Sequence, residues 1–558
     1  MEYLVIIVGL VIGVVVWSVL SEKKQKAKLR QRILNEWGQI PQEEYTFEKF
    51  ESIKDFSYSR QDNRYDVDDI TWNDLDMDEI YMLINNTQSS LGEEYLFSLL
   101  KKPSFSHEEL KERDRLINFF LENEDKRVTL QLLLKRLGKL THISVYKYIN
   151  LLDNFKVESN IPHYVMALGL IISFGLLFIN PPLGGFLTLA FLSNNIYQYY
   201  KKKALIENYL TVFAYIIRLL QSANDIEKLG FSEIKTYTDS LKKDRNAFKS
   251  FKNGSIILTS QNPSGNLLDA IIDYGRMLFH IDLMKFNSML TVLKNNREAL
   301  NRLFTNIGFL DSMIAIASFR KYLDYYCQPE LIKSSEPMIS VEDLYHPLLN
   351  NPIPNSISQD SSALITGSNA SGKSTFIKNL AINAILAQTT YTSISKKYKA
   401  SCFAIFTSMA LRDNILSNES YYIVEIKSLK RILDHVNDEV PLLCFVDEVL
   451  RGTNTLERIG ASSRILSSLA NKNTLVFAAT HDIELTHILE NSYSNYHFQE
   501  HISDNKILFD YKLHSGRAIS RNAIKLLELL GYSNDIIEDA EEAVDEFLQK
   551  GEWKVIHN

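Results

Sequence analysis

The sequence has few cysteines, no excess of positive charge, no internal repeat and no low-complexity tract. Its three cysteines, Cys327, Cys402 and Cys444, lie far apart without the spacing of a disulfide framework or a metal site, which indicates buried thiols in a reducing compartment. A formal net charge of −7 over 558 residues excludes a global positive field, so nucleic-acid binding must be argued from other features. A hydrophobic content of 45% excludes disorder of the whole chain and allows several domains.

Two stretches contain almost no charge. Residues 4–20 are apolar and precede six basic residues between Lys23 and Arg32, which predicts a transmembrane anchor rather than a cleaved signal peptide. Residues 164–200 are uncharged and broken at Asn180-Pro181-Pro182, which predicts a transmembrane hairpin or a re-entrant one. Because basic residues next to membrane segments favour the cytoplasmic side, the lysines that follow each segment place the chain after it in the cytoplasm. The sequence thus predicts a multi-pass protein of the cell membrane whose remaining parts are cytoplasmic.

The polar regions around the hairpin have mostly helical patterns. Asp66 to Asp78 is rich in carboxylates but lacks the glycine and final glutamate of a calcium-binding loop, which favours a solvated turn. A basic run on a predicted helix favours a solvated face, with DNA contact as the weaker alternative; it comprises Lys242, Lys243, Arg245, Lys249 and Lys252.

A phosphate-binding loop lies between a predicted strand, 362–366, and a predicted helix, 376–382. It fits the pattern G-x-x-x-x-G-K-[ST], in which backbone N–H groups and the helix N-terminus cradle phosphate oxygens. Lys373 is expected to reach the β- and γ-phosphates, and the Ser374 hydroxyl to hold Mg²⁺. The candidate ATP-binding residues are Gly367, Ser368, Asn369, Ala370, Ser371, Gly372, Lys373, Ser374 and Thr375.

Two further apolar strands in the region 336–515 end in side chains that can take part in a reaction. The alternation of strands and helices in this region is typical of a parallel sheet. The strand that ends in Asp447 and Glu448 is expected directly beside the loop's own strand, so that Asp447 supports Mg²⁺ and Glu448 orients or deprotonates the attacking water. The second strand ends at His481, which is expected to sense the γ-phosphate at the edge where open α/β sheets bind ligands.

These segments resemble the MutS family of DNA mismatch-repair ATPases. The resemblance rests on the runs 366–375, 447–455 and 479–486, on Tyr345-His346-Pro347 before the loop, and on 405–409 and 417–425, which are similar to the family's signature segment. Fainter similarity covers 89–96 and 308–314, which resemble the start and end of the family's helical core and lever region. Asn418-Glu419 stands where the family usually has Gly-Arg.

The resemblance implies an α/β P-loop ATPase domain of the ABC type, with a mainly parallel sheet, preceded by an all-α core and lever region that carries the transmembrane helices. It also implies a homodimer joined through the ATPase domains, in which Ser420 reaches the partner's nucleotide, and duplex DNA as partner. A residue near Asn351-Pro352-Ile353 is expected at the adenine. The predicted domains are an anchor (1–21), a cytoplasmic helical region that begins the core (22–160), a transmembrane hairpin (161–203), a lever and core region (204–335), the MutS-type ATPase domain (336–515) and C-terminal helices (516–558).

Two functions are therefore expected. The first is a membrane-anchored MutS-like ATPase that uses ATP and Mg²⁺ to close around DNA, with no mismatch-reading domain and no preference for mismatches. The alternative is a membrane-bound mechanochemical or scaffold ATPase that grips a protein or a lipid.

Overall fold

The structure is a computed structural model that describes most of the chain in two compact units. Unit 1 comprises 1–63, 81–101 and 108–324, and unit 2 comprises 64–80, 102–107 and 325–558. The described residues are 2–58, 64–140, 143–151, 156, 158–249, 274–333, 336–409, 421–451, 453–503, 506–518, 524, 527, 531–553 and 555.

Unit 1 is built from helices in its described part. They are α1 (Glu2–Glu36), α2 (Phe47–Tyr58), α5 (Ser90–Lys101), α6 (His107–Glu122), α7 (Glu124–Leu137), α8 (Val145–Leu151), α9 (Ile161–Leu176), α10 (Pro181–Glu227), α11 (Lys235–Asn246), α12 (Ile281–Asn295) and α13 (Arg297–Tyr322). Two short helices, α3 (Asp69–Asp74) and α4 (Met77–Ile84), lie between α2 and α5 in the chain.

Helices α5 and α13 cross at two glycines. A Cβ on Gly308 would lie 2.6 Å from the Leu91 carbonyl oxygen, and one on Gly92 would lie 2.3 Å from Asp311 Oδ2. Neither position therefore has room for a side chain. Asp311 is fully buried and accepts hydrogen bonds from the backbone N–H groups of Gln88 and Ser89 (2.9–3.1 Å) at the start of α5. The two segments with the fainter family resemblance thus pack against each other across more than 200 residues of sequence.

The predicted membrane location is wrong. Among the described residues, no helix combines the length and the apolar composition that crossing a membrane requires. In the predicted hairpin over 161–203, α9 has 16 residues, about 24 Å, against a bilayer core of roughly 30 Å. The second leg is only the start of α10, a single 47-residue helix that runs on into a charged sequence. The predicted anchor over 1–21 falls in α1, and most of its side chains lie outside the described residues.

Unit 2 contains the mixed sheet and helices of an α/β fold. Six strands lie in the order β10-β9-β4-β8-β7-β6. All neighbours in this sheet pair in parallel except β10 and β9. The strands are β4 (Ser362–Thr366), β6 (Ala404–Ser408), β7 (Leu442–Asp447), β8 (Thr474–Thr480), β9 (Tyr493–Ser503) and β10 (Lys506–Ser515). The α/β class and the mainly parallel sheet predicted from the sequence are therefore confirmed.

A smaller sheet and five further helices lie in the described part of unit 2, which also includes α3 and the start of α4. The sheet has the order β1-β5-β2-β3, formed by β1 (Glu330–Ile332), β2 (Ile339–Leu344), β3 (Asn355–Gln359) and β5 (Lys397–Ser401). The helices are α14 (Lys373–Thr389), α15 (Tyr421–Leu433), α16 (Thr455–Leu469), α17 (Glu484–Ile488) and α18 (Asn534–Lys550). Apolar side chains of α15 and α16, such as Leu429 and Leu466, form one core with β4, β6, β7 and β8.

Three local predictions need correction. Strand β7 is not adjacent to β4, because β8 lies between them. The acidic stretch 66–78 is not a solvated turn: it holds α3, in which Trp72 is buried. Among the cysteines, Cys444 is buried as predicted, whereas Cys327 and Cys402 are half-buried; all three are free.

The basic run on α11 is partly neutralised within unit 1. Glu227 at the end of α10 pairs with Lys242 at 3.0 Å and with Arg245 at 2.7 Å. These two cations are therefore engaged inside the unit, whereas Lys252 lies outside the described residues. The solvated face predicted for the run stays a prediction.

Gly308→Ala should destabilise unit 1. The added methyl group would meet backbone of α5 at 2.6 Å, and such overpacking costs about 1–3 kcal/mol of the free energy of unfolding. Urea unfolding followed by circular dichroism measures the loss. The matched control is Gly175→Ala on α9, where nothing lies within 4 Å of the new Cβ. Equal stability of the two variants would contradict the close crossing.

Candidate functional site

The phosphate-binding loop leaves β4 and enters α14 with a strained backbone. Gly367 has φ +147° and Gly372 has φ +108°, conformations that side chains rarely tolerate. A Cβ on Gly367 would lie 2.8 Å from the Phe498 carbonyl oxygen. Ala370 has φ 65° although it is not glycine. The loop is therefore held in a tight turn that directs its backbone toward the N-terminus of α14.

Lys373 is folded back onto the loop. Its Nζ donates to the carbonyl oxygens of Gly367 and Ser368, both at 2.8 Å, and the residue is 5% exposed. Burial lowers the pKa of Lys373, while the nearby carboxylates of Asp447 and Glu448 oppose that shift. The ammonium group therefore lies against the loop, near two acids, and its hydrogen bonds go to carbonyl oxygens that a phosphate could replace.

Asp447 lies at the end of β7 and reaches the first turn of α14. Its carboxylate is hydrogen-bonded to the Ser374 side chain, and burial raises its pKa. The other oxygen, Oδ1, is buried and has no hydrogen-bond partner in the part of the chain that the structure describes. A half-buried hydroxyl and a carboxylate with a spare oxygen supply the hard oxygen ligands that Mg²⁺ prefers, so these residues fit the metal.

Glu448 is held by the side chains of His481 and Arg451. Its Oε1 lies 2.5 Å from His481 Nε2, and its Oε2 lies 3.0 Å from Arg451 Nε. The hydrogen bond with His481 is the main reason that the pKa of Glu448 is lowered. The backbone of Glu448 has φ 53°, and its N–H donates to the Ala479 carbonyl at 2.9 Å. Glu448 is therefore an ionised carboxylate held in a strained, well-defined position.

A cavity of about 480 Å³ opens over the loop, within the size range of small-molecule sites. Its lining includes residues 369–376, Glu448, 349–353 and Tyr511. The segment predicted to contact adenine, 351–353, thus faces the same cavity as the phosphate loop. A second cavity, of about 560 Å³, lies where β4 and β9 begin, at the opposite ends of the strands from the loop.

Sequence reasoning missed three residues that support the site. Glu425 on α15 accepts from the Leu450 N–H just after Glu448. Arg458 on α16 donates twice to Asp482, next to His481, at 2.6 and 2.9 Å. Glu500 on β9 accepts from the Ser368 hydroxyl in the loop. Each of these residues is a single charged residue on a helix or strand and belongs to no motif of characteristic spacing. The contacts are therefore identified only by the fold.

The structure brings most of the predicted site residues together. Residues 367–375, Asp447, Glu448 and His481 lie at the carboxyl ends of three neighbouring strands. Ser420, predicted to act on a partner's nucleotide, lies outside the described residues. Its role and those of the other site residues stay predictions.

The loop, the mixed sheet and the convergent carboxylates define a P-loop nucleotide-binding domain. Residues 363–548 match the family model for MutS domain V. The chain is 31% identical over 294 residues to MutS protein homolog 4 of Homo sapiens, covering 49% of this chain and 31% of that protein. Over about half of its length the chain is therefore similar to a MutS protein homolog.

Other relatives give the same picture. The DNA mismatch repair protein MSH3 of Debaryomyces hansenii is 27% identical, over 48% of this chain and 28% of its own length. The DNA mismatch repair protein MutS of Leptospira interrogans is 28% identical, over 50% of this chain and 34% of its own length. The chain thus spans about a third of the length of the curated relatives it matches.

Asp447→Asn should stabilise the nucleotide-free protein at neutral pH. Burial raises the pKa of Asp447, so the ionised carboxylate opposes folding above its unfolded pKa, and this cost disappears once the group is protonated in both states. We expect the melting temperature at pH 7 to rise by about 2–4 °C, with a gain that shrinks as the pH approaches 4.

The matched control is Asp360→Asn, an exposed carboxylate of unit 2 between β3 and β4, which should leave the melting temperature unchanged. A loss of stability in Asp447→Asn at pH 7 would contradict the assignment of a destabilising buried charge.

Proposed function

We propose that this chain binds ATP with Mg²⁺ and hydrolyses it to ADP and phosphate. The single observation that carries the proposal is the convergence of Lys373, Ser374, Asp447, Glu448 and His481 at one edge of the parallel sheet. The match to MutS domain V supports ATPase activity at the level of the family.

Lys373 and the loop bind the triphosphate. The Lys373 ammonium exchanges its two loop carbonyls for phosphate oxygens, and the N-terminus of α14 adds its partial positive charge. Ser374 and the spare oxygen of Asp447 would hold Mg²⁺, which would neutralise phosphate charge when bound. The cavity residues 351–353 and Tyr511 receive the base.

Glu448 activates water. Because its pKa is lowered, its carboxylate is ionised at neutral pH and accepts a hydrogen bond from the attacking water. The water oxygen bonds to the γ-phosphorus, the bond to the β–γ bridging oxygen breaks, and the water proton passes to Glu448. His481, 2.5 Å from Glu448, orients the carboxylate and senses the γ-phosphate.

We further propose that ATP drives closure of a homodimer around duplex DNA. Support comes from the resemblance to MutS and from the names of the relatives, which are DNA mismatch repair proteins. The packing of α5 on α13 supplies a rigid helical arm of the kind the resemblance implies. The absence of any preference for mismatches stays a prediction. The alternative to duplex DNA is a protein partner that the helices hold.

Glu448→Gln should keep ATP binding but lower turnover by at least about 100-fold, because glutamine cannot accept the proton from water. Lys373→Ala should weaken ATP binding by at least about 30-fold, since it removes a buried charge partner of the phosphates. Binding of a fluorescent ATP analogue and release of phosphate measure the two effects.

Two exposed residues of unit 2, Glu439→Gln and Lys472→Ala, are the matched controls and should behave as wild type. Undiminished hydrolysis in Glu448→Gln would refute the role of Glu448, and unaltered ATP affinity in Lys373→Ala would refute the site.

Duplex DNA binding by the full chain should depend steeply on salt. Each phosphate contacted contributes about −0.9 to the slope of log K against log salt, so a clamp with six or more contacts should lose roughly 1,000-fold in affinity between 50 and 200 mM salt. Fluorescence anisotropy with matched and mismatched duplexes, with and without a non-hydrolysable ATP analogue, measures this. No binding at low salt in either nucleotide state would reject DNA and favour a protein partner.

A further inference from the structure

A segment far from the ATPase region in sequence forms part of unit 2. Residues 64–80, which we call the brace, contain α3 and the start of α4. Five of its apolar side chains are almost fully buried, at 0–2% exposure; they are Val67, Trp72, Leu75, Met77 and Ile80. The brace lies outside residues 363–548, which match MutS domain V, so it is an addition to the matched domain.

The brace covers the open edge of the six-stranded sheet. Among the described residues β6 is the outermost strand on this side, so its outward N–H groups pair with no described strand. Thr407 N–H donates to Thr71 Oγ1 at 3.2 Å, and Met409 N–H donates to Asp74 Oδ2 at 3.0 Å. The Thr407 hydroxyl also donates to Asp74 Oδ2, at 2.7 Å. Side chains of α3 thus take the place of a missing strand.

Two ion pairs attach the brace to neighbouring helices. Arg431 on α15 binds Asp68 of the brace and also donates to the Thr407 carbonyl at 2.5 Å, so it joins helix, strand and brace. Lys378 on α14, one turn after the phosphate-binding Lys373, pairs with Asp76 at 2.9 Å. The brace therefore contacts the helix that follows the loop as well as the edge strand.

Strand β6 in turn supports the acidic strand. It pairs in parallel with β7, and the last residue of β6, Ser408, lies opposite Val446, immediately before Asp447. A shift of β6 would move the end of β7, and displacements of about 1 Å at reacting groups lower rates by as much as about 100-fold.

We propose that Asp74 is a positioning residue for ATP hydrolysis: by holding the outer edge of β6, it keeps Asp447 and Glu448 in register with the phosphate-binding loop. This inference rests on the proposed ATPase function. Asp74 touches no substrate in this role and acts through β6 and β7.

The test compares Asp74→Ala, which removes the acceptor, with Asp74→Asn, which retains one acceptor oxygen, and with Glu79→Ala, an exposed carboxylate of the same brace. In the full chain, steady-state kinetics should show kcat lowered by about 10- to 100-fold in Asp74→Ala, with KM for ATP within about 3-fold of wild type. Asp74→Asn should recover part of the rate, and Glu79→Ala should match wild type.

Hydrogen exchange supplies a readout that does not need hydrolysis. The amides of 404–409 should exchange at least about 10-fold faster in Asp74→Ala than in wild type, while those of β4 and β8 stay protected. If Asp74→Ala unfolds, Thr407→Val, which removes only the hydroxyl donor, should show the same pattern with a smaller fall in kcat.

Unchanged exchange at 404–409, or faster exchange with unchanged kcat, would overturn the proposal. If wild type hydrolyses no ATP, the proposed function has failed. The exchange data then still decide whether Asp74 holds β6.

Discussion

The parallel register of β4, β8 and β7 is the constraint on which the candidate site depends. Thr366 pairs with Thr480, and Ala479 pairs with Asp447, so the three strands end at one level. The residues that follow them, Gly367, His481 and Glu448, are therefore neighbours, although Glu448 lies 81 positions and His481 lies 114 positions after Gly367 in the sequence. Since β8 is the middle strand, His481 lies within 2.5 Å of Glu448.

The same edge concentrates strain and buried charge. Three residues other than glycine have positive φ angles here: Ala370, Glu448 and Leu450. Each such angle costs free energy that the surrounding packing must offset. Lys373 is buried and Asp447 is half-buried close to it, and burial disfavours the charged form of each. Such costs are typical of sites that are organised for a charged ligand rather than for stability alone.

Away from the site, buried polar side chains specify how distant segments meet. Asp311 accepts from the backbone at the start of α5 in unit 1, and Asp74 accepts from β6 in unit 2. In both cases a carboxylate replaces a missing backbone partner, so the segment can dock only in one register. Neither carboxylate belongs to a motif, and both were invisible to pattern-based reasoning.

The sequence by itself determined the phosphate-binding loop, the acidic strand end and the α/β class, because each depends on neighbours within about ten residues and on the alternation of strands and helices. It misled at residues 161–203, where lack of charge predicted a membrane hairpin but the second leg continues as one long helix. Only the tertiary structure decided that β8 separates β4 from β7, that residues 64–80 join the nucleotide-binding unit, and that Glu425, Arg458 and Glu500 support the loops. Strand order and long-range hydrogen bonds follow from packing between segments far apart in the chain, and no local pattern records that packing.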